Sequence, residues 1–177
     1  GSVYQKARYV AYTDATFSTQ VPADPDWEHL GVLGPTLRAQ VGDLIRVHFE
    51  NHGTHNYTMH PHGVFYDKAS EGAFIHGLTL MTGVPPGGKH TYDWYVPERA
   101  GPAETDPSSV AWLYHSHNDE VADTNSGLVG TMIISRAGTA LKANGMPTDV
   151  DKEFVLFWTV MNENESLFLM DKIAKFT

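Results

Sequence analysis

Asp43-Leu44-Ile45-Arg46-Val47-His48-Phe49-Glu50 is the stretch on which the fold turns. Leu44, Val47 and Phe49 stand among polar neighbours, the alternation of a strand with one buried side. On either side the same grammar continues. Short runs rich in Val, Ile, Tyr, Phe and Thr are broken by Gly, Pro, Asn and Asp, and helical periodicity is scarce, which is how an all-β sandwich reads. Strands are expected at residues 7–13, 36–40, 43–51, 56–60, 90–96, 111–117 and 130–135, with turns at 31–35, 84–88 and 97–107. Residues 119–126 suit a short helix or an irregular loop.

The composition shifts further on. Residues 136–150, with Gly138, Gly145 and Pro147, read as an interdomain linker. Residues 152–161 then read as a new apolar strand, and 164–176 as an acidic piece with helical potential. The expected division is a first domain over 1–137, a linker over 138–150, and over 151–177 the opening strand and helix of a second, truncated domain.

Composition removes several function classes. Hydrophobic residues make up 41% and charged residues 19% of the 177, enough apolar content for a buried core. The net charge is -9 and Lys and Arg are scattered singly, so no basic stripe awaits a nucleic acid. With no cysteine, the chain offers no disulfide, thiol nucleophile or copper thiolate. No apolar run approaches the roughly 20 residues of a membrane span. The opening Gly1-Ser2-Val3 shows no signal-peptide pattern, which says little about export.

Histidine is the anomaly: ten residues, four of them in two tight pairs, His60-Pro61-His62 and His115-Ser116-His117. Residues two apart on a strand share a face, so each pair aims two imidazoles the same way. Neutral imidazole is a ligand for copper, zinc and iron. One His-x-His is weak evidence of a metal. Two, at the ends of apolar strands, favour a metal over chance pairs on solvent-facing strands. A cupin also uses His-x-His, and Pro85-x-Gly87-x-x-His90 mimics its second motif. Glu71 nevertheless falls too far behind His62 for a cupin, and a second His-x-His has no place there.

Longer stretches surround these pairs: Leu33-Gly34-Pro35-Thr36-Leu37-Arg38-Ala39 through Val41-Gly42-Asp43, Met59-His60-Pro61-His62-Gly63, Tyr114-His115-Ser116-His117 and Ser126-Gly127-Leu128-Val129-Gly130. Together they resemble the first cupredoxin domain of multicopper oxidases. Tyr12-Thr13-Asp14-Ala15-Thr16-Phe17, Asp151-Lys152-Glu153-Phe154 and Asn162-Glu163-Asn164-Glu165-Ser166 make the chain most similar to the branch of ceruloplasmin, hephaestin and the coagulation-factor A domains. The resemblance covers nearly the whole chain.

It implies a cupredoxin-like Greek-key β-sandwich followed by the start of a second cupredoxin domain. It also implies an oxidoreductase that couples one-electron oxidation of a phenol, aromatic amine or metal ion to four-electron reduction of O2 to water. The family's trinuclear copper centre takes eight histidines. By position His60 matches a ligand of type 2 copper, and His62, His115 and His117 match ligands of type 3 copper. Four ligands must therefore come from another cupredoxin domain, and type 1 copper, which needs a cysteine, must lie outside this chain. Glu71 sits where the family carries an acid that can relay protons; the bland alternative is a surface loop residue.

The alternatives are a copper nitrite reductase-like enzyme, disfavoured because its first domain supplies a cysteine, and a non-catalytic A-domain-like module. The partner domain is expected at the end of a long chain or in a neighbouring subunit of a homo-oligomer, with a homotrimer of two-domain subunits favoured. The location implied is secreted or periplasmic. Ser109 and Ser135 occupy the places of a disulfide in vertebrate relatives, which favours a prokaryotic two-domain laccase-like oxidase. Residues 78–82 lack the carboxylates of the animal proteins' calcium loop.

The remaining residues get plainer expectations. Asp119, Glu120 and Asp123 read as solvated loop acids with a capping role. His48 and His55 read as partly buried or as supports for the ligands, and His29, His52, His76 and His90 as surface residues. Trp112 and Tyr114 read as core or ligand-supporting packing, and Met59, Met81 and Met132 as fillers.

Overall fold

The alternation at 43–50 becomes β2 (Leu44–Glu50). It pairs antiparallel with β4 (Lys89–Tyr95), from Leu44 opposite Tyr95 to Glu50 opposite Lys89. A second sheet holds β1 (Gly34–Gln40), β6 (Val129–Ser135), β5 (Ser109–His115) and β3 (His60–Pro61) side by side in that order. β1 runs parallel to β6, whereas β6–β5 and β5–β3 are antiparallel. Short helices α1 (Glu120–Asn125) and α2 (Phe168–Ala174) follow β5 and β6 in the chain. The computed structural model describes residues 3–22, 25–73 and 83–174. The chain is thus mostly β, as the sequence predicts. Residues 78–82, with Met81, and His76 lie outside the described residues, as do Gly1, Ser2 and the last two residues of the expected helical piece.

The core lies between the two sheets. Tyr92 and Trp94 of β4, Tyr114 of β5, and Met132 and Ile134 of β6 are fully buried, with Leu37 and Ala39 of β1 and Val47 and Phe49 of β2 packed against them. Each large apolar side chain so buried contributes about 1.5–3 kcal/mol. Ile45, not Leu44, completes the inward face of β2; Leu44 is 57% exposed. β6 is buried almost continuously and stands inside its sheet, between β1 and β5. Two large buried polar side chains are matched: Tyr114 Oη donates to the Pro35 carbonyl, and Trp94 Nε1 to that of Ser70. Ser109 and Ser135 are direct partners across β5 and β6, the juxtaposition a disulfide there would need.

Three expected strands come out differently. Residues 7–13 form no strand. Instead Tyr12 bridges Gln20 in a short irregular hairpin, and the Ala7 N–H donates to the Ser126 carbonyl. The run at 56–60 keeps only His60 within β3, because side chains take the backbone donors before it. The Thr58 N–H goes to Ser116 Oγ, and the Met59 N–H to Tyr92 Oη. Residues 152–161 hold no strand ladder, and Phe154, Leu156, Trp158 and Val160 are exposed at strand spacing.

Polar ties bind the later segment to the body. Arg38 makes a two-pronged pair with Glu153, Lys6 reaches Glu163, and Asn125 contacts both Glu165 and the Asn162 N–H. Ser166 and Phe168 are buried. Among the described residues no helix is long and apolar enough to cross a membrane.

Candidate metal centre

The two His-x-His pairs meet because β3 and β5 are neighbours in register. His60 lies directly opposite His115, and Pro61 opposite Tyr114. Directly opposed residues in an antiparallel pair bring their side chains together, with neighbours two along as the diagonal contacts. His62 is therefore diagonal to His115, and His117 is diagonal to His60. The ring centroids follow this arithmetic: 5.5 Å for His60–His115, 5.1 Å for His62–His115 and 5.0 Å for His60–His117. His62 and His117 stand at opposite ends of the row. The backbone confirms the register, since the His62 N–H donates to the Leu113 carbonyl, and beyond β5 the His117 N–H turns to the side-chain Oγ1 of Thr58.

Donor atoms of His60, His62 and His115 all fall within 4.8 Å of one another. Nε2 of His62 and Nε2 of His115 are 3.0 Å apart. The fourth ring, His117, belongs to the same patch, but its Nε2 faces the Glu120 carboxylate at 3.4 Å.

Two of the rings are oriented by main-chain carbonyls. His60 Nδ1 donates to the Glu71 carbonyl at 2.6 Å, and His115 Nδ1 to that of Ser116 at 2.9 Å. A neutral imidazole that donates through Nδ1 leaves Nε2 bare as an acceptor, which is the form a metal ion takes. Electrostatics reinforces this. Burial pushes the His115 imidazole down to about 4, against the opposing pull of the Ser116 carbonyl. Burial also lowers His60, opposed by the Glu71 carbonyl, and partial enclosure lowers His62, opposed by Glu120. These imidazoles are neutral near pH 7 and need release no proton to bind a cation.

The 63–72 loop sets the Glu71 carbonyl in place. Gly72 has φ +68°, and a Cβ there would lie 2.0 Å from the Met59 carbonyl oxygen. Only glycine lets the chain pass so close to the strand that carries His60. At the other end Gly63, φ +82°, sits against the Trp112 ring, whose Nε1 donates to the Ala100 carbonyl. Trp112 therefore packs against the residue that follows His62. The loop's middle is tethered to β4: His90 Nε2 donates to the Ala69 carbonyl, and the Asp93 N–H to Ser70 Oγ.

Glu71 thus stands beside His60, with its main chain toward the ring and its carboxylate paired with Lys68. That carbonyl, rather than the carboxylate, is the part of Glu71 that touches a candidate ligand. Tyr66, its ring 5.5 Å from His60, is a further neighbour that no motif announces. Asp119 and Glu120 are exposed, and Asp119 caps α1 through the Ala122 N–H. Asp123 departs from its expected place in solvent and is fully buried. Among the other histidines, His55 is half-buried against Phe168, and His48 is exposed with Nδ1 near Thr91 Oγ1.

A donor set of imidazoles alone, neutral and clustered, suits copper, zinc or iron and not a hard cation such as calcium. Comparison with known proteins narrows this. Residues 29–138 match the family described as Multicopper oxidase. The Mus musculus protein "Ferroxidase HEPHL1" is 45% identical over 99% of this chain and 15% of its own length. Homo sapiens Hephaestin is 46% identical over 95% of this chain and 14% of its own, and Ovis aries Ceruloplasmin 46% over 100% and 17%. The solved structure titled "Crystal structure of Lac15 from a marine microbial metagenome" superposes with a TM-score of 0.46 and 27% identity, covering 67% of this chain and 26% of that one. The chain spans about a sixth of the length of these curated relatives. It belongs to the multicopper oxidase family.

Proposed function

We propose that this chain supplies half of a trinuclear copper site in an oxidase that takes electrons one at a time from a reducing substrate and passes them to O2. The observation that carries this reading is the facing pair His60–His115 with His62 and His117 on its two diagonals. His60 would hold type 2 copper, and His62, His115 and His117 type 3 copper. Bound copper supplies the one-electron redox chemistry. The chain's own residues hold the His60 and His115 imidazoles in the Nε2-bare form and shield His115 from water. The Glu71 carboxylate relays protons toward the His60 side, supported by its place in the loop that touches that ring. The reductant is a phenol, an aromatic amine or a metal ion, with ferrous iron favoured by the relatives named as ferroxidases.

The domain division 1–137, 138–150 and 151–177 stands as part of this proposal. The exposed strand-like row Phe154, Leu156, Trp158 and Val160 supports the start of a second cupredoxin domain. Four more histidines come from another such domain, in a homotrimer of two-domain subunits exported to the periplasm or beyond the cell. Type 1 copper lies outside this chain, which has no cysteine. In the full-length protein, His115→Ala should lower copper content and stop O2 consumption while the fold survives. Full copper and full turnover in that variant would end the site assignment. Native mass measurement tests the assembly: a copper-replete, active monomer would rule out the trimer.

A further inference from the structure

At the site end of the sandwich the regular ladder gives way to side chains, and those side chains converge on one buried carboxylate. Asp123 Oδ2 accepts from Ser116 Oγ at 2.6 Å and from the N–H groups of Asn118 and Asp119, each at 3.1 Å. Ser116 Oγ accepts in turn from the Thr58 N–H at 3.0 Å, and Thr58 Oγ1 accepts from the His117 N–H. Ser116 is the middle residue of the second His-x-His pair, and its own carbonyl orients the His115 ring. One chain of hydrogen bonds therefore runs from Asp123 through Ser116 to His115. A branch of it crosses through Thr58 to the strand of His60 and returns to His117.

The structure assigns Asp123 the role of a positioning residue: it holds Ser116, and through Ser116 the imidazoles of His115 and His117, in place for the metal. This rests on the copper reading above and adds to it a residue outside the ligand motifs.

Two features separate this from ordinary packing. Asp123 is fully buried, and its Oδ1 has no hydrogen-bond partner among the described residues. A half-satisfied carboxylate in the core is costly, so its presence there is not explained by stability. Its three donors also lie within the stretch 116–119, the four residues that begin at Ser116 and include His117. The carboxylate thus bends the chain as it leaves the second His pair, where β5 has ended at His115.

The test uses the full-length, copper-loaded protein. Copper per protein, copper affinity by competition with a chelator, the electron paramagnetic resonance spectrum and the thermal midpoint are measured for the parent, Asp123→Ala, Asp123→Asn and Ser116→Ala. Ile134→Ala, in the core of β6 away from the histidines, serves as a purely destabilising control. Ser116→Ala removes a single oxygen and is the variant to read where Asp123→Ala fails to fold, with the thermal midpoint as the check that it is folded. The expected result is a roughly 10- to 100-fold loss of copper affinity and an altered copper spectrum in Ser116→Ala and Asp123→Ala. Asp123→Asn, which still offers one oxygen to the three donors, should recover part of the affinity, and Ile134→Ala should lower the thermal midpoint without changing the spectrum. Parental affinity and spectrum in a folded Ser116→Ala would overturn the role, as would an equal spectral change in Ile134→Ala. A parent protein that takes up no copper would instead overturn the copper reading, and the positioning role with it.

Discussion

Replacing Gly72 by alanine isolates the contact that orients His60. The backbone there has φ +68°, which costs a residue with a side chain about 1–2 kcal/mol. The new Cβ would also lie 2.0 Å from the Met59 carbonyl oxygen and 3.2 Å from the His60 nitrogen, both main-chain atoms that cannot swing aside. Relieving that overlap moves the loop or the strand, at about 1–3 kcal/mol more. The sum is about 2–5 kcal/mol. Whichever part moves, the 2.6 Å bond from His60 Nδ1 to the Glu71 carbonyl lengthens and the ring loses its orienting partner. Gly87→Ala is the matched comparison. Its φ is +75°, but nothing lies within 4 Å of the added Cβ, so only the backbone cost of about 1–2 kcal/mol remains. Thermal denaturation and copper quantification of the full-length protein read the difference. Gly72→Ala should melt lower than Gly87→Ala and hold copper about 10- to 100-fold more weakly. Equal melting points and equal copper in the two variants would refute the reasoning.

Further outcomes follow from the same geometry. His117→Ala should lower copper content and abolish O2 reduction with the fold intact, and retained activity would remove His117 from the site. Glu71→Gln should keep its copper, because the carbonyl that orients His60 belongs to the main chain, yet turn over more slowly; an unchanged rate at optimal pH would make the side chain a loop residue only. Without metal, His115 stays neutral in the folded state down to about 4, whereas the unfolded chain protonates it near 6.5. Between those values the unfolded state binds more protons, so stability falls as pH drops from about 6.5 to 4 and is level above that window, by up to about 3 kcal/mol. Denaturant titrations of the metal-free protein across this range check the sign, and His115→Gln should flatten the slope.

The strands with their own alternation were the legible ones. The pairs of residues that became β2 and β4 announce themselves by period two, and the His-x-His pairs by the same rule, because a shared face depends only on local spacing. Residues 7–13 and 56–60 have strand composition, but their hydrogen bonds are decided by distant partners such as Ser116 Oγ, Tyr92 Oη and the Ser126 carbonyl. Thr58 stands two residues before His60, the spacing of a shared strand face, although β3 begins only at His60. No spacing rule points to Asp123: it sits in a polar stretch beside two exposed acids, and only the turn after His117 brings it inward. The Glu71 carbonyl was equally hidden, because every residue has one and sequence cannot say which is aimed at a ring.

The parallel pairing of β1 with β6 also dictates an order of events during synthesis. Gly34 finds its partner only at Gly130, and His60 only at His115. A ribosome has therefore released the first His-x-His pair well before the second exists, and loops of this span close slowly. Until the loop closes, the chain offers its His-x-His tripeptides as separate chelators to any stray metal ion, each able to capture it in the wrong geometry. Copper supplied after the chain has closed should load correctly, whereas refolding in excess copper should yield a trapped, misligated fraction that a chelator pulse releases.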